Sequence, residues 1–247
     1  MFEFLPVDWH DSLASTNTYL ATALKEGPEL PSGTVVAARE QHAGRGRQHR
    51  PWLTPPNQNL TFSFVWRETM PEQFVPAMAQ ALSVGIARFL QGYGLTPTIK
   101  WPNDLLVDGK KIGGILCERV NLSNSNQVAV VAGIGLNVNL DAATAAKIDQ
   151  PATSILLETG HTGELPTVLD ELLEALVAPL HAWSQRGFAG IRADYEAFGW
   201  KPGTAIRVRD GESYLSGNHG GYNEDGALVL KVDGGEKICY SGDIGLA

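Results

Sequence analysis

The chain has 247 residues, of which 43% are hydrophobic and 19% are charged. This is enough apolar material for one large domain, or for one large and one small domain. The formal net charge of −8 at pH 7 argues against a nucleic-acid partner, because surfaces that bind DNA or RNA are usually basic. The two cysteines, Cys117 and Cys239, stand far apart without CxxC spacing, which argues against a disulfide framework and a zinc site.

The beginning of the chain carries no pattern typical of a targeting signal. Residues 1–15 include Glu3, Asp8 and Asp11, and they contain neither a basic region nor a long apolar stretch. No apolar run in the sequence reaches the length that a membrane span needs. We therefore expect a cytoplasmic protein without a membrane partner.

Helical and strand patterns alternate along the first part of the chain. A helix is predicted to begin at Ser15 or Thr16, and apolar residues follow helical spacing over 75–90 and 169–183. The strands predicted from alternation or apolar runs cover 34–38, 60–66, 99–101, 112–117 and 128–137, with a loop over 121–127. Helices set against mostly antiparallel strands indicate an α+β fold.

The composition changes near Lys201. From Pro202 onward, closely spaced glycines break the sequence into short strand-like pieces, which indicates a small all-β unit. We therefore predict two domains, residues 1–201 and residues 202–247.

The segment from Gly44 to Trp52 carries three arginines, Arg45, Arg47 and Arg50, together with two glycines. An arginine presents a planar fork of donors that suits carboxylate and phosphate oxygens, and glycine lets backbone N–H groups approach an anion. The segment therefore fits a site that holds a carboxylate next to a triphosphate. A solvated basic loop and a short RNA-binding arm are the alternatives.

The second motif is Lys100-Trp101-Pro102-Asn103-Asp104. The lysine ends a predicted strand and the proline breaks it, so Asn103 and Asp104 are expected in a turn with their short polar side chains projecting. Functional groups commonly lie on loops at strand ends. The alternative is an ordinary turn beside an exposed lysine.

A third motif runs from Gly109 to Leu116, with Lys110 and Lys111 ahead of Gly113 and Gly114. Glycine inside a strand often marks close approach by a ligand or another backbone, and a lysine there could place its ammonium against a phosphate or carboxylate. A hairpin turn through Asp108 and Gly109 is predicted as well, and it is compatible with this interpretation.

The fourth motif is Gly133-Ile134-Gly135-Leu136-Asn137 in an apolar strand. The third glycine and the following helix of a dinucleotide loop are missing, which argues against a dinucleotide fold. A buried amide such as that of Asn137 needs hydrogen-bond partners, which could be the protein's own backbone or a bound base or ribose.

Together these segments resemble the biotin protein ligases, which in bacteria are called biotin–[acetyl-CoA carboxylase] ligases. Ser15-Thr16-Asn17 and Gln41 join the four motifs in the family's order and spacing, so that the resemblance covers nearly the whole chain. It implies a catalytic domain similar to class II aminoacyl-tRNA synthetases, with a mixed sheet and helices. The glycine-rich tail is similar to the family's small C-terminal SH3-like barrel.

The resemblance also implies roles for individual residues. Those that would hold biotin are Ser15, Thr16, Asn17, Gln41, Arg45, Gly46, Arg47, Lys111 and Gly114. Those that would bind ATP are Arg47, Arg50, Trp52, Lys100, Asn103, Lys111 and Asn137. Lys111 would bridge the biotin carboxylate and the α-phosphate of ATP, with Arg45 and Arg47 as further catalytic cations.

The implied reaction joins biotin and ATP, with Mg²⁺, into biotinyl-5′-AMP and pyrophosphate. Biotin is then transferred to a lysine of the biotin carboxyl carrier protein of acetyl-CoA carboxylase. Cations are needed because a carboxylate and an α-phosphate repel each other, and Mg²⁺ would screen the β- and γ-phosphates. The resemblance leaves a homodimer open.

The sequence departs from the family's pattern in two places. Only 14 residues precede Ser15, too few for the DNA-binding domain of some relatives, so a repressor role is not expected. The tail also lacks an arginine that some relatives place near this end, where this chain has Gly242 and Asp243. The alternatives are a lipoate or octanoate ligase-transferase of the same fold, a non-enzymatic biotin-binding protein and a transcriptional regulator.

Overall fold

A computed structural model describes residues 2–26, 30–67, 72–122, 128–210 and 213–247. The main sheet has seven strands in the order β1-β2-β3-β7-β6-β5-β4. Their bounds are β1 Val7–His10, β2 Val35–Ala38, β3 Asn59–Trp66, β4 Pro97–Lys100, β5 Asp104–Val107, β6 Lys110–Asn121 and β7 Val128–Asn137. The sheet is mixed, since β1 and β2 are parallel while the other neighbouring strands are antiparallel.

Helices cover both faces of this sheet. They are α1 Thr16–Glu26, α2 Met78–Gly92, α3 Ala142–Ala145, α4 Ile155–Thr159, α5 Leu165–Arg186 and α6 Arg192–Phe198. On one face α2 and α5 bury the largest apolar cluster against β3, with Trp66 and Trp183 in edge contact at 5.2 Å. On the other face α1 packs Leu20 and Leu24 against Val65 and Val131. Within the described residues, none of the helices is long and apolar enough to cross a membrane.

The alternation of β3 and β7 separates the core from the other face of the sheet. Phe62 of β3 and Ile134 of β7 point into the α2–α5 cluster. Ser63, by contrast, contacts α1 through Thr16 and Asn17, and on β7 it lies opposite Gly133. Because side chains alternate across a strand, the polar and glycine positions of these two central strands share the α1 face.

A second sheet follows the main one and packs against its core. Its five strands, in the order β11-β10-β9-β8-β12, are all antiparallel to their neighbours. They are β8 Ala205–Asp210, β9 Ser213–Tyr222, β10 Leu228–Val232, β11 Gly235–Cys239 and β12 Ile244–Leu246. The Gly226 carbonyl accepts hydrogen bonds from Gln80 at 2.9 Å and from Trp101 at 3.2 Å, which ties this sheet to α2 and to the end of β4.

The α+β fold predicted from the sequence is confirmed, with a small all-β region at the end of the chain. Ser15 precedes α1 and accepts a hydrogen bond from the N–H of Thr18, as expected of a helix start. The hairpin at Asp108 and Gly109 is also confirmed, because both residues have positive φ, 48° and 75°, as a tight hairpin turn requires. The domain boundary at residue 201 stays a prediction.

Two expectations about local structure need correction. Asp104 begins β5 instead of lying in the turn, since its backbone pairs with Lys100 and Gly114. The helical pattern over 75–90 is a 3-10 turn up to Ala77 followed by α2, because Pro76 interrupts the helix. The strand β1 was not predicted, and most of the loop over 121–127 lies outside the described residues.

Candidate active site

Two adjoining cavities open on the α1 face of the main sheet. The first is lined by twelve of the residues predicted from the sequence: Ser15, Thr16, Asn17, Gln41, Arg45, Gly46, Arg47, Arg50, Trp52, Asn103, Lys111 and Gly114. The second shares Gln41, Arg50, Trp52 and Lys111 with the first and adds Asn137. Lys100 lines neither cavity in the described part of the chain.

One end of the first cavity is polar but carries few charges. The Thr16 backbone N–H donates to Oε1 of Gln41 at 2.8 Å, and the Thr16 hydroxyl lies 2.6 Å from that of Ser63. Ser63 donates to Oδ1 of Asn17 at 2.6 Å, and Thr16, Asn17 and Ser63 are all at most 4% exposed. Such a buried array of hydroxyls and amides is suited to a neutral heterocycle.

The glycines of β7 make room for this polar end. A Cβ atom on Gly133 would lie 2.1 Å from Oδ1 of Asn17, and one on Gly135 would lie 2.5 Å from the Trp52 ring. Any larger residue would therefore push Asn17 or Trp52 away from the sheet. The Gly-x-Gly motif is thus a strand that other side chains approach closely, and not a nucleotide loop.

The three arginines of the segment 44–52 each have a partner in another element. Arg45 donates to Oε1 of Glu118 at 2.7 Å, and Arg47 donates to Oδ1 of Asn103 at 3.0 Å. Arg50 forms an ion pair with Asp243. The Gly242 carbonyl, next to Asp243, also accepts a hydrogen bond from Arg47 at 3.3 Å, so the tail reaches the cavity.

Lys111 lies between the two cavities at an irregular point of β6. Leu105 pairs with Gly113 while Leu106 pairs with Lys111, so Ile112 is an extra residue that breaks the regular alternation and redirects the lysine. Its Nζ lies 2.7 Å from Oδ1 of Asp104 and 5.6 Å from the centre of the Trp52 ring. The lysine side chain is only 16% exposed, and its ammonium faces the cavities instead of the bulk solvent.

The segment 151–153 fixes the backbone of Lys111 from the side. The Lys111 N–H donates to the Pro151 carbonyl at 2.8 Å, and the Lys111 carbonyl accepts from Thr153 at 2.9 Å. Thr153 in turn donates to Glu158, which also binds Nζ of Lys110 at 2.6 Å. Burial would raise the pKa of the Glu158 carboxyl, but the hydrogen bonds from Lys110 and Thr153 outweigh it and lower that pKa.

The amide of Asn137 has its hydrogen bonds within the protein. Its Oδ1 accepts from Asn59 at 2.6 Å and its Nδ2 donates to the Thr153 carbonyl at 2.9 Å. Of the two interpretations open for this residue, the described contacts fit a structural asparagine beside the second cavity. Its contact with a nucleotide stays a prediction.

Sequence reasoning missed several polar residues of the site, among them Ser63 and Glu118, which hydrogen-bond to Asn17, and Asp243, which lines the cavity; it named Asp104 only as part of the second motif. Glu118 could have been found, since it lies on β6 at the alternation that begins with Gly114 and Leu116, on the cavity side. Asp243 could not, because nothing local relates it to Arg50, which lies 193 residues earlier.

Solved structures identify the class to which this fold and cavity belong. The biotin protein ligase of Aquifex aeolicus, solved in complex with biotin and ATP, matches with a TM-score of 0.81 and 26% sequence identity over 99% of each chain. The fold is therefore that of the biotin protein ligases, as the sequence motifs predicted.

The chain itself belongs to the Biotin/lipoate A/B protein ligase family, whose model matches residues 9–137. The biotin–[acetyl-CoA-carboxylase] ligase of Paracoccus denitrificans is 34% identical over 94% of this chain and 98% of its own length. The bifunctional ligase/repressor BirA of Bacillus subtilis is 31% identical over 96% of this chain and 73% of its own length. These similarities favour biotin over lipoate as the acid that this family member uses.

Proposed function

We propose that the protein is an ATP-dependent biotin protein ligase. It forms biotinyl-5′-AMP and pyrophosphate from biotin and ATP, and then transfers biotin to a lysine of a carrier protein. The observation that carries the proposal is the position of Lys111, with its ammonium at the junction of a neutral polar pocket and a second cavity.

The bicyclic ring of biotin fits the polar end of the first cavity. Its urea group offers two N–H donors and a carbonyl acceptor, and the pocket offers the hydroxyl of Thr16 and the amides of Asn17 and Gln41. Ser63 hydrogen-bonds to Thr16 and Asn17. The carboxylate would then extend toward Lys111 and Arg47. ATP would occupy the second cavity, where Trp52 and Arg50 supply an aromatic face and a cation beside Asn137. Asn103, which lines the first cavity, and Lys100, which lines neither, stay predicted nucleotide-side residues.

The first step joins two anions. A biotin carboxylate oxygen attacks the α-phosphorus of ATP, the new O–P bond forms, and the bond to the β-phosphate breaks so that pyrophosphate leaves. Lys111 stabilises the charge that builds up on the α-phosphate, as positioned cations do in phosphoryl transfer. Arg45 is a further predicted catalytic cation, and in the free protein its guanidinium forms an ion pair with Glu118.

The second step makes the amide bond. The neutral amine of the carrier lysine attacks the acyl carbon of biotinyl-AMP, AMP leaves with the electrons of the C–O bond, and the nitrogen loses one proton to solvent to give the amide. The arginine segment covers the cavity through its contacts with Glu118, Asn103 and Asp243, which limits the access of water to the reactive anhydride.

Magnesium would enter with the nucleotide. The described residues contain no group of three His, Cys, Asp or Glu side chains arranged to hold a metal ion. Mg²⁺ usually needs less, since it keeps several waters and binds one or two carboxylates plus substrate phosphates. Glu40 and Asp149 are carboxylates at the cavity that we propose for ATP. Asp104 and Asp243 line the adjoining first cavity, where each is paired with a cation.

The carrier that we propose is the biotin carboxyl carrier protein of acetyl-CoA carboxylase, by analogy with the relatives named as biotin–[acetyl-CoA-carboxylase] ligases. A lipoate or octanoate ligase of the same fold is the second candidate. The polar end of the first cavity, lined by Thr16, Asn17 and Gln41, is the ring pocket. It favours biotin, because the dithiolane ring of lipoate has no N–H or C=O group that could form hydrogen bonds with these residues.

Exchange of labelled pyrophosphate into ATP tests the first step without any carrier. We expect exchange that depends on biotin and Mg²⁺ and that lipoate does not replace. Equal exchange with lipoate would favour the second candidate, and the absence of exchange with either acid would overturn the proposed adenylation.

A further inference from the structure

A chain of hydrogen bonds leads from the ring pocket to a carboxylate that does not line it. Beyond Thr16, Ser63 and Asn17, Nδ2 of Asn17 donates to Oε2 of Glu118 at 2.8 Å and to the Leu116 carbonyl at 3.1 Å. The other carboxylate oxygen of Glu118 accepts from Arg45 at 2.7 Å. The Glu118 and Arg45 side chains are only 29% and 30% exposed, so the pair is partly shielded from water.

Glu118 helps to fix the direction of donation along this series of hydrogen bonds. The Glu118 carboxylate and the Leu116 carbonyl both only accept hydrogen bonds, so Asn17 must turn its NH₂ group toward them and its Oδ1 toward Ser63. Ser63 must then donate its one hydroxyl hydrogen to Oδ1 of Asn17. The hydroxyl of Thr16 lies 3.2 Å from Oε1 of Gln41 but only 2.6 Å from the hydroxyl of Ser63, and because Ser63 has no second hydrogen, Thr16 donates at this shorter contact.

The direction of these hydrogen bonds decides whether the ring pocket presents donors or acceptors to a ligand. With the hydrogens of Thr16 and Ser63 both turned toward Asn17, the lone pairs that remain on the Thr16 hydroxyl, which lines the cavity, act as acceptors. Acceptors match the N–H donors of a urea ring, and a ring without N–H groups gains nothing from them.

We propose that Glu118 is a positioning residue that makes the ring pocket an acceptor site and thereby selects acids whose ring carries N–H donors. This inference rests on the proposed function and deepens it. Arg45 contributes by holding one oxygen of Glu118, which leaves the other oxygen aimed at Asn17.

Glu118→Gln tests the direction with little change of shape. The side-chain amide of the introduced glutamine has one acceptor oxygen. The Arg45 guanidinium donates to that oxygen, so the NH₂ group of the glutamine faces Asn17. Two donors then oppose each other. Asn17 can relieve this only by turning its oxygen toward the introduced glutamine, which also brings that oxygen against the Leu116 carbonyl. The chain therefore loses its single direction in the variant.

In the pyrophosphate exchange assay we expect the KM for biotin to rise about tenfold or more in Glu118→Gln, since hydrogen bonds to charged groups contribute about one to two factors of ten. The KM for ATP and the inhibition constant of lipoic acid should stay within about twofold. A merely structural loss would weaken all three together. Glu174→Gln, on the exposed face of α5, is the matched control and should change none of them.

Ser63→Ala is the second variant, which breaks the same chain without changing the charge of the site. It should reproduce the selective rise in the KM for biotin, and it keeps the test valid if Glu118→Gln does not fold. An unchanged KM for biotin in either folded variant, or equal losses for biotin, ATP and lipoic acid, would overturn the inference while leaving the proposed function in place. A wild-type protein without biotin-dependent exchange would overturn both.

Discussion

At the scale of single residues, the neighbouring lysines of β6 have different surroundings. Lys110 binds Glu158 on the outside of the site and is 42% exposed, whereas Lys111 is 16% exposed between the two cavities. Strand alternation points the two lysines to opposite faces, and the extra residue Ile112 brings Lys111 onto the same face as Gly114 at the cavity. The sequence predicted Lys111 as an anion-binding residue from its glycine neighbours, but its partner Asp104 depends on the pairing of β5 with β6.

Lys111→Ala should lower the rate of biotin-dependent pyrophosphate exchange by about a hundredfold or more, since removing one positioned group at a developing charge typically costs that much. Transfer from added biotinyl-AMP should be less affected, because the lysine acts mainly on the phosphate. Lys110→Ala, one residue away, is the matched control and should keep nearly the full exchange rate. If both variants exchanged pyrophosphate equally, Lys111 would have no role in adenylation.

At the scale of elements, strand pairing and hydrogen bonds between distant segments bring the motifs together, and no local sequence pattern reveals these contacts. Helix α5 and strand β3 were predicted because their apolar periodicity is long and regular, whereas helix α1 was predicted from its start signal at Ser15 or Thr16. The four-residue strands β1 and β5 were not predicted, and β5 begins at Asp104, a residue that the sequence placed in a turn. The segment 151–153, which runs beside Lys111 and leads into α4, had no signal at all, since its bonds to Lys111 cross 40 or more residues of sequence.

Glu158 at α4 should stabilise the fold in a pH-dependent way. Its folded-state pKa is lowered because the bonds from Lys110 and Thr153 outweigh burial, so its contribution is complete above the unfolded pKa of about 4.3 and is lost as the pH falls through the folded value. Glu158→Gln should therefore lower the free energy of unfolding by about 1–3 kcal/mol at pH 7. The difference from wild type should shrink as the pH drops below about 4.

Denaturant unfolding of both proteins at several pH values measures this effect. Glu236→Gln is a suitable control, since its side chain is 59% exposed and lies 4.0 Å from Lys231. A stability difference for Glu158→Gln that stayed constant from pH 7 to pH 3 would show that the charge of Glu158 has no part in it.

At the scale of the whole molecule, the second sheet takes part in building the site. Glycine spacing predicted a small β unit but could not predict that Gly242 and Asp243 reach the arginine segment. The tail that lacks the arginine of some relatives thus contacts the cavity through an acidic side chain and a carbonyl. Arg47 and Arg50 are held from the second sheet, and the two sheets together enclose the place proposed for the adenylate.

The central claim is that this chain attaches biotin to a single lysine of a carrier, and mass spectrometry of the intact carrier tests it most directly. A biotin carboxyl carrier domain would be incubated with the protein, ATP, Mg²⁺ and an equimolar mixture of biotin and lipoate. We predict a gain of one biotin on one lysine, no gain of lipoate, and no gain at all when Lys111→Ala replaces the wild type. A carrier that gained lipoate in place of biotin, or that remained unmodified by wild-type protein active in pyrophosphate exchange, would contradict the account.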